Sequence, residues 1–298
     1  MPELPEVESL RRGLAANILG QKIKKIWVGK PKLVSGRGNI RKASPPKVKE
    51  FIKNLQGETI QSIDRQAKNL ILVFKSNKVL IIHLKMSGQL VYAPSASNLE
   101  PVFGGHPIEI SESKLPNKHT HIIFELSRGT LYYNDPRMFG YFLFYPDIAA
   151  ASGHFSAYGL DPLGGDFTLV KFAARLRAKK GKLKSTLMAQ SVVTGLGNIY
   201  ADESAWLAKI SPLRGVQSLK SQEIKALYQA IQKILPRAIE LGGSSVATYR
   251  LADGSRGNYA RELKVYGRGG QKCLRCGRKL TKIQVNNRTT VYCPNCQK

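Results

Sequence analysis

CLRCGRKLTKIQVNNRTTVYCPNC, residues 273–296, sets the architecture of the carboxyl end. Two Cys-x-x-Cys pairs, Cys273/Cys276 and Cys293/Cys296, stand sixteen residues apart, a spacing that closes a tetrahedral four-thiolate zinc site between two knuckles. Four thiolates leave no open coordination position, so one zinc ion held there is structural; free thiols or a redox pair are the alternatives. The residues between the knuckles read as a hairpin with Asn286, Asn287 and Arg288 at its turn. An arginine at such a tip either grips a phosphate or simply sits in solvent. All four cysteines lie in the last 26 residues, which is not the distribution of a disulfide framework in a secreted chain.

Outward from the ribbon, the charge is the next signal. The 298 residues carry 47 Lys+Arg against 20 Asp+Glu, a net +27, with 42% hydrophobic residues and a length that suits two domains and a small appendage. A field of that sign attracts polyanions, nucleic acid first and an acidic membrane surface second. No stretch approaches the ~18 to 20 apolar residues of a membrane span, and the amino end is acidic rather than a basic leader. A cytoplasmic protein is expected, nucleoid-associated if bacterial, monomeric and without a membrane.

The other end carries the chemistry. Residues 1–8, MPELPEVE, place a proline at position 2 among three carboxylates. Removal of Met1 would turn the Pro2 nitrogen into a secondary amine with a pKa near ~8, against ~10.4 for lysine. Such an amine can attack a carbon such as C1′ of a sugar and become a permanently charged iminium, an electron sink. Pro5 suits a first helical turn, and Val7, Leu10, Leu14 and Ile18 follow at spacings of 3 and 4, predicting an amphipathic helix with Glu3 and Glu6 at its positive end. Ordinary capping composition is the competing reading of the same residues.

Between the ends, strands come first and helices later, an α+β pattern of segregated domains. Asn69 to Lys75 pairs with Val79 to Leu84, and His121 to Leu126 with Thr130 to Tyr133, predicting a β-sandwich or barrel behind the leading helix. Between Lys22 and Lys53 stand eleven Lys or Arg and one acid; the stretch from Gly29 to Pro46 either tracks a phosphate backbone or is a solvated loop. Ala93 to Asn117, rich in Pro, Gly and Ser, reads as an exposed loop. Composition shifts from Pro146 to Gly165, where a domain boundary is expected. Helices follow at Phe167 to Lys179, Leu183 to Gln190 and Ile199 to Lys209. A longer one is capped by Ser221, kinked at Pro236 and stopped by Gly242-Gly243. Gly195 and Gly197 precede the third helix; they either let backbone amides approach an anion or only permit tight packing.

MPELPEVE, NDPRMFG (134–140), VVTGLGNIYADE (192–203) and the terminal YCPNCQ occur in the order found in formamidopyrimidine-DNA glycosylases, which the chain resembles along essentially its whole length. Endonuclease VIII proteins share the fold, but Leu4 after Glu3 is unlike their start and favours the oxidised-purine branch. The resemblance implies a β-sandwich catalytic domain over 1–150 with a leading catalytic helix and a helix-two-turns-helix domain over 151–243. A lesion-capping loop and connection over 244–262 and the zinc ribbon over 263–298 complete it. It implies damaged double-stranded DNA as partner and zinc as the one cofactor. It makes Pro2 the nucleophile, Glu3 the acid/base, Glu6 a supporting carboxylate and Lys68 the catalytic-site lysine. Met86, Arg137 and Phe139 would fill the gap left by the flipped nucleotide, although ordinary packing is what composition alone assigns to Met86 and Phe139. Lys184, Asn198 and Arg288 would hold phosphates. The expected activity is excision of oxidised purines followed by cleavage of the abasic strand; action on oxidised pyrimidines and a catalytically inactive DNA-binding homologue are the alternatives. The chain departs from the family pattern at Ala67, Lys85 and Asn287, where glycine is usual, at Asn69 in place of tyrosine, and at Met138 in place of a basic residue.

Overall fold

The computed structural model describes residues 1–38, 41–95, 115–244 and 257–298, with the backbone alone at 102–105. The chain divides into two compact units, the first made of Met1–Pro2, Glu6–Ser156 and Gly242–Gly257, the second of Glu3–Pro5, Ala157–Leu241 and Asn258–Lys298.

Helix α1 (Leu4–Ile18) belongs to the first unit from Glu6 onward, and its Val7, Leu10, Leu14 and Ile18 are all buried, as their spacing predicts. There follow β1 (Ile23–Val28), a 3-10 turn at Pro31–Val34, α2 (Pro45–Leu55), β2 (Ile60–Gln66), β3 (Asn69–Phe74), β4 (Val79–His83) and β5 (Gln89–Pro94). Then come β6 (Val102–Gly105), β7 (Thr120–Leu126), β8 (Gly129–Asn134), β9 (Tyr141–Tyr145) and α3 (Ile148–Ser152). The strands form two antiparallel sheets, ordered β1-β7-β8-β5-β6 and β2-β3-β4-β9. Residues of both sheets share one core with α1 and α2, including Leu70, Leu72, Leu80 and Ile82 from one and Ile122, Phe124 and Leu131 from the other. The opposite faces of β3 and β4 are also covered, Val79 and Ile81 packing with Ala151 and Phe155. Burial on both faces explains why these strands are continuous apolar runs rather than alternating ones.

Two expectations change here. Within the stretch expected to be an exposed loop, 93–117, β6 pairs with β5 from Gln89↔Gly105 to Tyr92↔Val102; two glycines and a short length hid it. The basic stretch 29–46 is partly built into the fold. Leu33 and Val34 are buried, Pro45 opens α2, and the Ser44 hydroxyl caps that helix by accepting the Lys47 N–H. Lysines on the outer face of α2 mask its buried Phe51 and Leu55 in the sequence.

The second unit contains α4 (Leu169–Arg177), α5 (Leu183–Met188), α6 (Asn198–Leu207) and α7 (Ser221–Glu240), then the hairpin β10 (Thr281–Val285) and β11 (Arg288–Tyr292). Helix α7 continues through Pro236, and its cap is Lys220 rather than Ser221: the Glu223 carboxylate accepts the Lys220 N–H at 2.8 Å. The two-residue turn Asn286-Asn287 has φ of 47° and 57°, the left-handed pair that a tight hairpin requires. No helix among the described residues is long and apolar enough to cross a membrane.

Candidate active site and nucleic-acid interface

Pro2 is buried and Met1 before it is 47% exposed, so the methionine is reachable for removal. While Met1 is attached, the Pro2 nitrogen is an amide and has no lone pair to offer.

Glu3 is 3% exposed, and its carboxylate serves a helix other than its own. It accepts the N–H groups of Gly197 at 2.8 Å, Ile199 at 2.9 Å and Tyr200 at 3.3 Å, which are unsatisfied donors at the start of α6. The anion expected near Gly195 and Gly197 is therefore the protein's own glutamate, fixed where a helix dipole favours it. Glu3 does lie just before α1, as the sequence predicts; what the sequence does not show is that its carboxylate reaches the N-terminus of a second helix, α6. Gly197 is needed for this approach, since a Cβ there would lie 2.5 Å from the Glu3 carboxylate. Gly195 is held tightly as well: Leu4 donates its N–H to the Gly195 carbonyl at 3.0 Å.

Within the first unit, Glu6 accepts the backbone N–H of Ser244 at 2.8 Å and its hydroxyl at 3.0 Å. It thereby anchors the start of the segment 244–262, whose residues 245–256, assigned to lesion capping, lie outside the described residues. Lys68 is buried in the turn from β2 to β3, and its charge helps keep buried His83 neutral, with a pKa well below the ordinary histidine value chiefly through desolvation. Neutral His83 accepts the Lys85 N–H on its Nδ1 at 3.0 Å, which shapes the loop that ends β4 and exposes Met86 to 42%.

Met86, Arg137 and Phe139 are brought together. The Arg137 Nη1 lies 3.6 Å from the Met86 sulfur, and the guanidinium carbon sits 4.6 Å from the centre of the Phe139 ring. Met86 and Arg137 are exposed and Phe139 is half-buried; an exposed thioether fills no core, so ordinary packing does not account for Met86. The turn that carries the other two is secured from behind by Arg41, which donates to the carbonyls of Gly36, Met138 and Phe139. Arg41 was hidden among the surrounding cations of a basic stretch.

In the second unit, Asn198 opens α6 and Arg288 is exposed just past the hairpin tip. Lys184, expected to hold a phosphate, has protein partners in this structure. It is 1% exposed, and its ammonium donates to Asp202 at 2.6 Å and to the carbonyls of Thr289 at 3.2 Å and Asn198 at 3.4 Å. Its ammonium thus ties α5 to α6 and to the hairpin strand β11. Burial pulls its pKa below the lysine range and that of Asp202 upward, and the close contact between them opposes both shifts. Asp202 and Glu203 together fasten the ribbon to α6. Asp202 accepts the Val291 N–H at 3.1 Å, and Glu203 accepts those of Lys264, Val265 and Tyr266. Neither acid had a distinguishing signal in the sequence beyond lying just after NIYA.

The sulfurs of Cys273, Cys276, Cys293 and Cys296 lie within 4.8 Å of one another, a spread that suits four thiolates around one ion. Trp206, Val265, Leu280 and Val291 pack beside them. The set fits a single structural zinc.

Known protein families match most of the chain. The Formamidopyrimidine-DNA glycosylase N-terminal domain matches residues 1–142, the H2TH domain of the same enzymes matches 158–250, and the zinc finger found in FPG and IleRS matches 270–298. A formamidopyrimidine-DNA glycosylase of Desulfitobacterium hafniense is 36% identical over 298 residues, covering 100% of both chains. Lactococcus lactis Fpg in complex with an abasic site containing DNA superposes with a TM-score of 0.84 at 38% identity over 99% of each chain. MutM in complex with carbocyclic 8-oxo-G containing DNA gives 0.83 at 37% over 100% of each. Matched from end to end by relatives of this one kind, the chain belongs to the formamidopyrimidine-DNA glycosylase family.

Proposed function

We infer that the chain excises oxidised purines, 8-oxoguanine and formamidopyrimidines among them, from duplex DNA as a glycosylase, and then cleaves the abasic strand as a lyase with Pro2 as nucleophile. The observation that carries this is full-length membership of the family together with a Pro-Glu pair whose glutamate is fixed by three backbone donors.

The amine of Pro2, free once Met1 is removed, attacks C1′ of an everted nucleotide; the N-glycosidic bond breaks and the base leaves with a proton. Opening of the sugar ring, with Glu3 supplying a proton to the ring oxygen, leaves a cationic iminium between the proline nitrogen and C1′. That cation acidifies the C2′ hydrogen, and loss of its proton expels the 3′ phosphate; a second elimination expels the 5′ phosphate. Lys68 contacts phosphate and the lesion region, and Glu6 supports the site from the segment it anchors. Met86, Arg137 and Phe139 occupy the gap in the duplex, replacing part of the stacking lost on eversion. Asn198 and Arg288 take phosphates, and the basic surface supplies the sequence-independent attraction. Zinc, held by Cys273, Cys276, Cys293 and Cys296, keeps the ribbon folded; with four thiolate ligands it has no position for substrate. The division into catalytic domain, helical domain, capping segment and ribbon follows from the same reading, as do a monomer and a cytoplasmic, nucleoid-associated setting.

A panel of duplexes with single lesions tests the substrate class. Excision of 8-oxoguanine and ring-opened purines should be much faster than that of thymine glycol; the reverse ranking would assign the chain to oxidised pyrimidines instead.

A further inference from the structure

The three side chains assigned to the gap in the duplex come from two separate loops, and one buried carboxylate joins those loops. Asp135 is fully buried. Its Oδ2 accepts the Tyr133 hydroxyl and the Gly140 N–H, both at 2.9 Å, which fixes the two ends of the turn carrying Arg137 and Phe139. Its Oδ1 accepts the Arg137 N–H at 3.2 Å and, from the loop that carries Met86, the Ser87 hydroxyl at 2.5 Å. Burial raises the pKa of Tyr133 well above that of an ordinary phenol, so its hydroxyl stays a donor to the carboxylate. The geometry allows no substitute for Gly140, where a Cβ would fall 1.7 Å from the Tyr133 hydroxyl. Of these donors, only Ser87 comes from outside residues 133–140.

We propose that Ser87 is a positioning residue that couples the Met86 loop to the Arg137–Phe139 turn through Asp135, so that the side chains probing the duplex enter it as one device. The proposal rests on the reading of Met86, Arg137 and Phe139 as the residues that fill the gap. The loops are joined at two depths: at the surface by the Arg137 contact to Met86, and beneath it by the Ser87–Asp135 hydrogen bond. Surface contacts of exposed side chains rearrange readily, whereas a charge-assisted O–H···O⁻ bond to a carboxylate held by three other donors does not. Insertion into a base stack opposes each wedge with the tendency of the bases to restack. A wedge on a loose loop yields to that force; two on a joined frame share it, because the ordering cost is met before DNA arrives.

The test is a mutant cycle on single-turnover excision of 8-oxoguanine from duplex. Met86→Ala, Phe139→Ala and the pair are measured with and without Ser87→Ala. With Ser87 present, the double substitution should lose about tenfold less rate than the product of the single losses, the non-additivity of residues acting as a unit. With Ser87→Ala the losses should simply multiply. Ser87→Ala alone should slow duplex excision while leaving cleavage of a preformed abasic site in a single-stranded oligonucleotide unchanged, and Ser87→Thr should restore the duplex rate. The same coupling with and without the serine would overturn the proposal, as would an equal loss on the single strand, which marks a structural defect. If Met86→Ala and Phe139→Ala are each silent on duplex while Pro2 chemistry is intact, the assignment of the wedges fails, and the proposal with it.

Discussion

The turn at 135–140 and the joint between α6 and the zinc ribbon hold exposed side chains in place in opposite ways. In the turn, one carboxylate gathers three donors close in sequence, Tyr133, Arg137 and Gly140, and a single distant one, the Ser87 hydroxyl. In the joint, two carboxylates on adjacent residues reach across the sequence, Asp202 to Val291 and Glu203 to Lys264, Val265 and Tyr266, and the ribbon they grip depends on four thiolates. A local turn can be specified by a seven-residue motif, whereas a long-range joint needs a separately stabilised piece to hold on to.

Zinc loss separates the two regions most sharply. Structural zinc contributes roughly 10–16 kcal/mol in zinc-finger peptides. Cys276→Ser or removal by chelator should therefore unfold the ribbon and abolish tight duplex binding. Amide exchange in the sheets of the first unit should stay unchanged, and loss of protection there would mean that the turn depends on the metal. Asp135→Ala is the converse test. It leaves the Tyr133 and Ser87 hydroxyls, the buried Gly140 N–H and the Arg137 N–H without their acceptor, and the expected destabilisation of the first unit is about 3–5 kcal/mol by urea unfolding, with zinc content retained.

Gly197→Ala is next in size and probes the glutamate seat. The added Cβ would meet the Glu3 carboxylate at 2.5 Å and displace it. Base excision should slow by about 100-fold with duplex affinity little changed, as expected when a catalytic group moves by about an ångström. An unchanged rate would show that the position of Glu3 is not critical. The smallest effect is Ala67→Gly. Ala67, Lys85 and Asn287, the three places where this chain replaces a family glycine, all have positive φ, at 56°, 54° and 57°. A side chain in that conformation costs roughly 1–2 kcal/mol, against about 0.5–1 kcal/mol of entropy that glycine loses on folding. A gain of up to about 1 kcal/mol in stability is expected from thermal unfolding.

What was legible in the sequence had short-range causes. The hairpins at 69–84 and 120–134, the apolar stripe of α1 and the paired cysteines all follow from local period or spacing. What was not legible depends on partners far along the chain. Glu3 accepts from Gly197, Glu6 from Ser244, and Lys184 is enclosed by Asp202 and Thr289, so a basic residue that reads as a phosphate ligand is part of the interior. The glycines before α6 show the intermediate case: their chemistry, amides approaching an anion, was readable, and the identity of the anion was not. Departures from family glycines mark left-handed positions in retrospect, but one sequence cannot say which substitutions its backbone absorbs.

The central claim is that Pro2 is the nucleophile, and covalent trapping tests it most directly. Protein shown by mass spectrometry to lack Met1 is incubated with an 8-oxoguanine duplex and borohydride, and the cross-linked peptide is sequenced. A reduced adduct on the nitrogen of Pro2, absent when Met1 is retained, is the predicted result. No adduct under conditions where the base is released, or an adduct on a lysine such as Lys68, would contradict it.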